Sequence, residues 1–150
     1  MSAAPTREEI AAVDQVCALF PHVFDNRDLD RFPLVFTEDA VIRLTMGTGR
    51  EVRGLDAIRE FAVAIGPDRV DHHTLDSVVT RAPDDPPDVL RVRSRYLAVL
   101  ADGGVTNGDY LDEFHRTWAG WRIALRISVP RFPRGPVVPV PDEVLARWLP

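Results

Sequence analysis

The chain has 150 residues, a formal net charge of -5 and 45% hydrophobic residues. This length is typical of one domain that buries roughly two-thirds of its unfolded surface, so we expect a single domain over residues 1–150. The acidic balance argues against a nucleic-acid binder, because that function requires clustered lysines and arginines on one face.

The compartment is predicted from what the sequence lacks. Cys17 is the single cysteine, which excludes an intrachain disulfide. No apolar run is long enough to cross a bilayer, and the start, MSAAPTREE, has no basic region followed by an apolar segment. We therefore expect a cytoplasmic protein without membrane or nucleic-acid partners.

The first element is predicted to be a helix that begins at a capping box formed by Thr6 and Glu9. One apolar stripe follows at three- and four-residue steps: Ile10, Val13, Cys17, Phe20 and Phe24. Pro21 should kink this helix or loosen its last turn. Asp25 follows the stripe directly, so its carboxylate is either paired at the edge of the buried face or an ordinary turn residue.

Three further elements precede the centre of the chain. Residues 30–36 indicate a short second helix, residues 38–46 a strand, and residues 54–65 a third helix. Residues 69–80 are then predicted to form a strand that begins with two adjacent histidines. Because neighbouring residues of a strand face opposite sides, only one of His72 and His73 points inward. The face containing His73 is the more apolar, so His73 is predicted to be inward.

Three long strands are predicted to complete the sheet. Strand 89–100 has an apolar inner face and an outer face with Arg91, Arg93 and Arg95, which we expect to be solvated or at an interface. Both faces of strand 106–117 are mixed, so periodicity leaves its orientation open. The final strand, 121–129, has a clean apolar face that is predicted to be inward: Trp121, Ile123, Leu125, Ile127 and Val129.

The tail, residues 130–150, is proline-rich and ends in a possible short helix. Three placements are open from the sequence: across the pocket mouth, on a partner subunit, or loosely docked. The order of elements, with helices first and an antiparallel sheet after them, indicates an α+β domain.

Four short segments resemble one family in their order and spacing. They are FDNRDLD at 24–30, HHTLD at 72–76, GDYLD at 108–112 and GWRI at 120–123. Together they resemble the SnoaL-like and scytalone dehydratase-like branch of the NTF2-like superfamily, over most of the chain up to about Val129. The resemblance implies an α+β cone with three N-terminal helices packed on a curled antiparallel sheet.

The resemblance also implies a hydrogen-bonded catalytic dyad, which falls on Asp25 and His73. It favours Tyr110 and Asp112 as inward residues. The family's remaining substrate-activating residues are not retained: its two tyrosines fall on Phe24 and Thr45, its second histidine near Ala98, and its serine and asparagine on Gly108 and Tyr110. The predicted substrate-binding residues are Phe20, Phe24, Thr45, Tyr96 and Ala98.

A histidine oriented by a carboxylate is suited to general-base catalysis near neutral pH. Such a dyad removes a proton next to a carbonyl, a step that dehydration, isomerisation and cyclisation share. Tyr110 or Tyr96 could donate to the enolate oxygen, and Asp112 is either a second acid/base or the partner of an arginine. The expected substrate is a small hydrophobic molecule of polyketide or steroid type.

No cofactor and no metal are expected, because the two adjacent histidines diverge and no further ligand lies at a suitable spacing. An epoxide hydrolase of this fold uses an Asp, Arg, Asp constellation, and the sequence predicts no inward arginine. The alternative function is a non-catalytic ligand-binding or structural assembly subunit, with the dyad as a buried structural pair. A homo-oligomer, dimer or trimer, is expected through the outer sheet face, which includes the three β-strand arginines and Glu113.

Overall fold

A computed structural model describes residues 4–66 and 70–149. Arg69, the first residue of the predicted histidine strand, lies outside them. The elements in chain order are α1 (Arg7–Phe24), a 3-10 helix (Leu29–Leu34), β1 (Phe36–Leu44), β2 (Arg50–Arg53), α2 (Leu55–Ile65), β3 (Val70–Thr80), β4 (Val89–Leu100), β5 (Val105–Thr117), β6 (Gly120–Phe132) and α3 (Asp142–Leu145), with a 3-10 turn at Ala146–Trp148.

The strands form one curled sheet in the order β2-β1-β6-β5-β4-β3. Every pairing is antiparallel except the one between β1 and β6, which is parallel. Helices α1 and α2 pack on the inner face of the sheet and close the core. This is the predicted α+β arrangement, with β2 as an additional short strand that the sequence analysis did not predict.

Helix α1 begins as its sequence predicts. The Thr6 Oγ1 accepts a hydrogen bond from the Glu9 backbone N–H at 3.1 Å, and the Glu9 carboxylate accepts one from the Thr6 N–H at 2.9 Å. Pro21 lies within the helix without ending it. Cys17 is buried, and burial raises the pKa of its thiol far above the ordinary value, as expected for a packing residue. In the described ranges, no helix combines the length and apolar character that a membrane span requires.

Strand β3 contains a bulge that reverses its alternation. The pairing with β4 shifts between Leu75 and Val78, and Asp76 lies there with φ of 53°, a left-handed conformation that Asp tolerates better than most residues. Before the bulge, His72 is turned inward and His73 outward. The prediction that His73 faces inward is therefore wrong, because the apolar residues used to choose the face lie on both sides of a phase change.

A second bulge reverses the alternation of β6. Its pairing with β5 skips Ala124, so the alternation of side chains between the two faces of the sheet changes phase at that position. Ile123 belongs to the inner core, whereas Ile127 belongs to a separate apolar layer on the outer side. The prediction of one apolar inner face along the whole strand is therefore wrong beyond Ile123, and Arg126 is turned into the interior instead.

The tail docks on the outer face of the sheet. Trp148 is 2% exposed and packs against Leu111 and Ile127. Its indole N–H donates to the backbone carbonyl of Asp112 at 2.7 Å, and the Arg91 guanidinium lies 4.7 Å from the centre of its ring. None of the three placements that the sequence left open describes this arrangement. The tail packs on the outer face of the chain's own sheet, over β4, β5 and β6, and no tail residue that the structure describes lines the hollow between the helices and the sheet.

This docking changes the predicted interface. Arg91 is 3% exposed and is held by two hydrogen bonds to Asp85, at 2.7 and 2.8 Å, and by an ion pair with Glu113 at 2.9 Å. The prediction that Arg91 is solvated or available to a partner is wrong, because the tail covers it. The other two outward arginines of β4, Arg93 and Arg95, share the carboxylate of Asp109 and stay partly exposed.

We expect Trp148→Ala to lower the free energy of unfolding by about 3 kcal/mol, because it removes a buried aromatic ring and leaves a cavity. Leu149→Ala is the matched control: Leu149 is 51% exposed, and its loss should change stability by no more than about 0.5 kcal/mol. Urea unfolding of both variants measures the difference. Equal effects would contradict the tail's contribution to the packed outer layer.

Candidate active site

The end of α1 places a carboxylate against the start of β3. Asp25 caps the helix, with its backbone N–H bonded to the Pro21 carbonyl at 3.0 Å. Its carboxylate accepts a hydrogen bond from the backbone N–H of His72 at 2.6 Å and lies 2.7 Å from the imidazole Nδ1 of the same residue. Both side chains are largely buried. The two contacts fix the position and the orientation of the imidazole ring.

The pairing determines the chemistry of the imidazole. An ionised carboxylate only accepts hydrogen bonds, so Nδ1 of His72 carries the proton that faces Asp25. In the neutral ring, Nε2 then holds the free lone pair. The ring lies among aromatic side chains, with centroids 5.9 Å from Phe20 and 6.2 Å from Phe24. A histidine held in this way can act as a general base with the carboxylate as its orienting partner.

His72 lines a small hollow between the helices and the sheet, of about 90 Å³. Its lining is mostly apolar and aromatic: Phe20, Phe24, Ile42, Leu44, Phe61, Ile65, His72, Tyr110, Arg126 and Ser128. Tyr110 stacks on Tyr96 with ring centroids 4.7 Å apart. Burial raises the pKa of Tyr110 well above its ordinary value, so its hydroxyl remains a neutral hydrogen-bond donor.

A buried ion pair lies beside the hollow. Asp112 on β5 and Arg126 on β6 are directly opposite each other, and the carboxylate accepts from Nε at 2.8 Å and from Nη2 at 2.7 Å. Burial raises the pKa of the Asp112 carboxyl, with Arg126 opposing the shift. Burial alone would lower the pKa of Arg126, but Asp112 more than offsets it, so the guanidinium remains charged.

The guanidinium is also enclosed by aromatic rings. Its central carbon lies 4.1 Å from the centre of the Phe20 ring and 3.9 Å from that of Tyr110, within the range of cation–π attraction. The Nη1 atom is buried and has no hydrogen-bond partner.

A larger depression of about 790 Å³ lies elsewhere on the surface. It is open, and its lining includes the exposed Trp118 together with Arg59 and Arg122. Both arginines donate hydrogen bonds to neighbouring backbone carbonyls. None of the dyad residues lines it, so the small hollow is the candidate active site despite its smaller volume.

Comparison with known proteins gives the family. The family model described as SnoaL-like domain matches residues 5–127. This protein belongs to the SnoaL-like domain family. No curated protein matches the sequence.

Solved structures agree with this assignment. The SnoaL-like chain is similar to a protein of unknown function from Mycobacterium tuberculosis, Rv3472, with 27% identity over 83% of this chain and 72% of that one, and a TM-score of 0.71. It is similar to a candidate aromatic ring hydroxylase from Novosphingobium aromaticivorans, with 26% identity, coverage of 86% and 93%, and a TM-score of 0.72. A candidate scytalone dehydratase from the same organism, with 18% identity, coverage of 83% and 85% and a TM-score of 0.68, shares the fold. The predicted SnoaL-like, NTF2-like fold is confirmed.

The structure corrects the histidine of the predicted dyad. In this SnoaL-like protein Asp25 pairs with His72, whereas the side chain of His73 is 51% exposed and its Nε2 lies 3.4 Å from an oxygen of Asp71. The reason is the bulge in β3, which sets the phase of the preceding residues. Asp25 lies where the resemblance placed it, but with the neighbouring histidine as its partner.

The other predicted site residues divide into two groups. Phe20, Phe24 and Tyr110 line the hollow. Thr45, Tyr96 and Ala98 are buried but are not in its lining, and the Thr45 hydroxyl donates to the Ser128 carbonyl at 2.9 Å. Both oxygens of Asp112 are held by the neighbouring guanidinium, so the structure shows the arginine pairing and not a free second acid/base.

Gly108 explains one departure from the family pattern. A Cβ at this position would lie 2.2 Å from the Val129 carbonyl oxygen and 2.6 Å from the ring of Tyr96. A side chain such as the serine that the resemblance implies would therefore not fit here, because the Tyr96 ring packs directly against the glycine backbone.

The prediction that no arginine faces inward is wrong, because Arg126 is buried and lines the hollow. The apolar lining from β1 and α2 was not predicted either. One signal was available for Arg126: the tail contains Val140, Val144, Leu145 and Trp148, which need an apolar surface, and the outer side of β6 is the surface that they cover. Within the described ranges, no group of three or more metal-ligating side chains is assembled.

Proposed function

We propose that this SnoaL-like protein is a cofactor-independent acid/base enzyme that removes a proton next to a carbonyl group of a small hydrophobic molecule. His72 is the base and Asp25 is its orienting partner. The observation that carries the proposal is the double contact of Asp25 with the backbone N–H and the Nδ1 of His72, at 2.6 and 2.7 Å, beside an apolar hollow.

The reaction follows from the tautomer. Nε2 of His72 accepts the proton as the substrate C–H bond breaks. The electron pair of that bond forms the C=C bond of an enolate, and the π electrons of the carbonyl group move onto its oxygen. The imidazolium that forms is balanced by the adjacent carboxylate. Return of the proton to another carbon gives isomerisation, loss of a β-hydroxyl gives dehydration, and attack on an internal electrophile gives cyclisation.

The volume of the hollow restricts the substrate. Ligand pockets for drug-sized molecules are roughly 300 to 1,000 Å³, whereas this one is about 90 Å³. The hollow is thus smaller than a cavity of roughly 150 Å³, which holds a benzene ring. We therefore propose that only the reacting edge of a ring, or a short chain, enters the hollow, and that the remainder of the substrate stays outside it.

Hydrogen exchange tests the function without knowledge of the natural substrate. Cyclopentanone, cyclohexanone and 1-indanone are incubated with the protein in D₂O, and loss of the α-proton signal is followed by NMR. We expect at least one ketone to exchange faster than in buffer, and Asp25→Asn to reduce that acceleration by about 10²-fold or more, because the tautomer is lost. Asp71→Asn, which alters the exposed neighbour of His73, is the control and should match the wild type.

The rival function, a non-catalytic binding or assembly subunit, makes the opposite prediction. A ketone that binds in the hollow without any acceleration of exchange would support the binding module. The assembly function has less support, because the tail covers part of the outer face that the sequence analysis assigned to a partner.

A further inference from the structure

One nitrogen of the Arg126 guanidinium, Nη1, has no hydrogen-bond partner in the protein. Nε and Nη2 are both bonded to Asp112 at 2.8 and 2.7 Å, and the rings of Phe20 and Tyr110 lie 4.1 and 3.9 Å from the central carbon of the group. Nη1 has no partner, although the residue is only 1% exposed. Buried polar groups are almost always hydrogen-bonded, and a buried one without a partner needs an explanation.

The hollow supplies that explanation. Arg126 is among its lining residues, as are Phe20 and Tyr110, whose rings contact the guanidinium. Because Asp112 occupies Nε and Nη2, Nη1 is the part of the group that is left for a molecule in the hollow. Its N–H groups are donors only, so the molecule must present an acceptor, and an anionic oxygen gives the strongest hydrogen bond.

We infer that Arg126 holds the oxygen of the bound molecule through Nη1, and that the ligands of this site are cyclic ketones and phenols with that oxygen on the ring. This inference deepens the proposed function and rests on it for the catalytic step alone. When His72 takes the α-proton, the electron pair of the broken C–H bond forms the C=C bond of the enolate, and the negative charge arrives on the oxygen next to Nη1. Returning the proton reverses every change, so no other reactant is needed.

The charges of the site suit this assignment. Asp112 neutralises Arg126 and holds it in one orientation, so the guanidinium is positioned before the ligand arrives. Asp25 neutralises the imidazolium of His72 after proton transfer. Each charged product of the proton transfer therefore has its own stabilising group, and the Phe20 ring packs against both His72 and Arg126.

A phenol tests the oxygen site without any reaction. 4-Nitrophenol is a probe for the enolate because its phenolate is coloured, so its pKa in the complex follows from absorbance at a series of pH values. An apolar hollow alone raises the pKa of a bound phenol, since desolvation disfavours the anion. Donation from Nη1 lowers it. We expect the pKa of bound 4-nitrophenol to lie at least about one unit below that of the free phenol, a tenfold preference for the anion.

Variants identify the donor. Arg126→Gln should raise the pKa of the bound phenol to or above the value of the free phenol. Because this change leaves Asp112 unpaired, the double variant Asp112→Asn/Arg126→Gln is measured beside it, with circular dichroism to establish folding. Arg131→Gln, an exposed arginine on the same strand, is the matched control and should keep the wild-type value. A raised pKa in the wild type, an unchanged lowered pKa in the double variant, or no binding up to the solubility of the probe would each overturn the inference.

The two proposals fail separately. A lowered phenol pKa without ketone exchange leaves the oxygen site in place and removes the enzyme function. Ketone exchange with a phenol pKa that does not depend on Arg126 leaves the enzyme function and removes the oxygen site.

Discussion

His72→Asn is expected to slow ketone proton exchange by about 10²- to 10⁴-fold, the contribution typical of a positioned general base. The reason is that Nε2 is the group that accepts the proton, and an amide at this position cannot replace it. The fold should be retained, because asparagine still presents a donor to Asp25 and its backbone N–H keeps the hydrogen bond of 2.6 Å. The rate is measured by NMR in D₂O with the ketone that the wild type exchanges fastest.

The adjacent histidine provides the matched control. His73→Asn changes the same residue type one position along the strand, on the outer face, where the side chain is half exposed. It should exchange the ketone at the wild-type rate, and both variants should unfold at similar urea concentrations. A loss of rate in His73→Asn, or no loss in His72→Asn, would show that the inward histidine is not the base.

The fold could be predicted from local signals that agree with one another. The capping box of Thr6 and Glu9 starts α1 where the sequence indicates. Strand β4 pairs with β5 without a register shift from Val89 to Val99, so its period-two pattern predicts the inner and outer faces correctly. Regular strands keep one phase, and in these the sequence alone assigns each side chain to a face.

The site could be predicted only in part. The inward faces of β3 and β6 were both assigned wrongly, and each of these errors comes from a bulge. The extra residue at Asp76 turns His72 inward in place of its neighbour, and the one at Ala124 turns Arg126 inward in place of the apolar residues around it. A bulge adds one residue to one strand and reverses every side chain beyond it. Neither position carries a glycine or a proline, so neither had a local sequence signal for the change of phase.

The second bulge and the tail depend on each other. The shift that turns Arg126 inward places Leu125, Ile127 and Val129 on the outer side of the sheet. The tail covers that apolar surface with Trp148. An apolar face on the outside of a sheet is stable only when something covers it. The docking of the tail on the outer face and the burial of Arg126 are thus both related to the same register shift in β6.

Asp112→Asn is expected to lower the free energy of unfolding by about 3 to 5 kcal/mol, the cost typical of leaving one partner of a buried ion pair uncompensated. Asp112 is fully buried and Arg126 is 1% exposed, so water cannot replace the lost charge. The double variant Asp112→Leu/Arg126→Met replaces both charges with apolar groups, and buried pairs replaced in this way often retain or exceed the original stability. We therefore expect the double variant to be more stable than the single one, although it carries one more substitution.

Urea unfolding at neutral pH compares the two variants with a surface pair. Arg43 and Glu51 are 2.7 Å apart but partly exposed, and Glu51→Ala should lower the free energy of unfolding far less than Asp112→Asn does, because solvent screens such pairs. If the double variant is as unstable as Asp112→Asn, the expectation is wrong, and the ion pair stabilises the fold more than apolar side chains at the same positions do. If it is stable but no longer lowers the pKa of bound 4-nitrophenol, the ion pair is retained for the ligand's oxygen and not for the stability of the sheet.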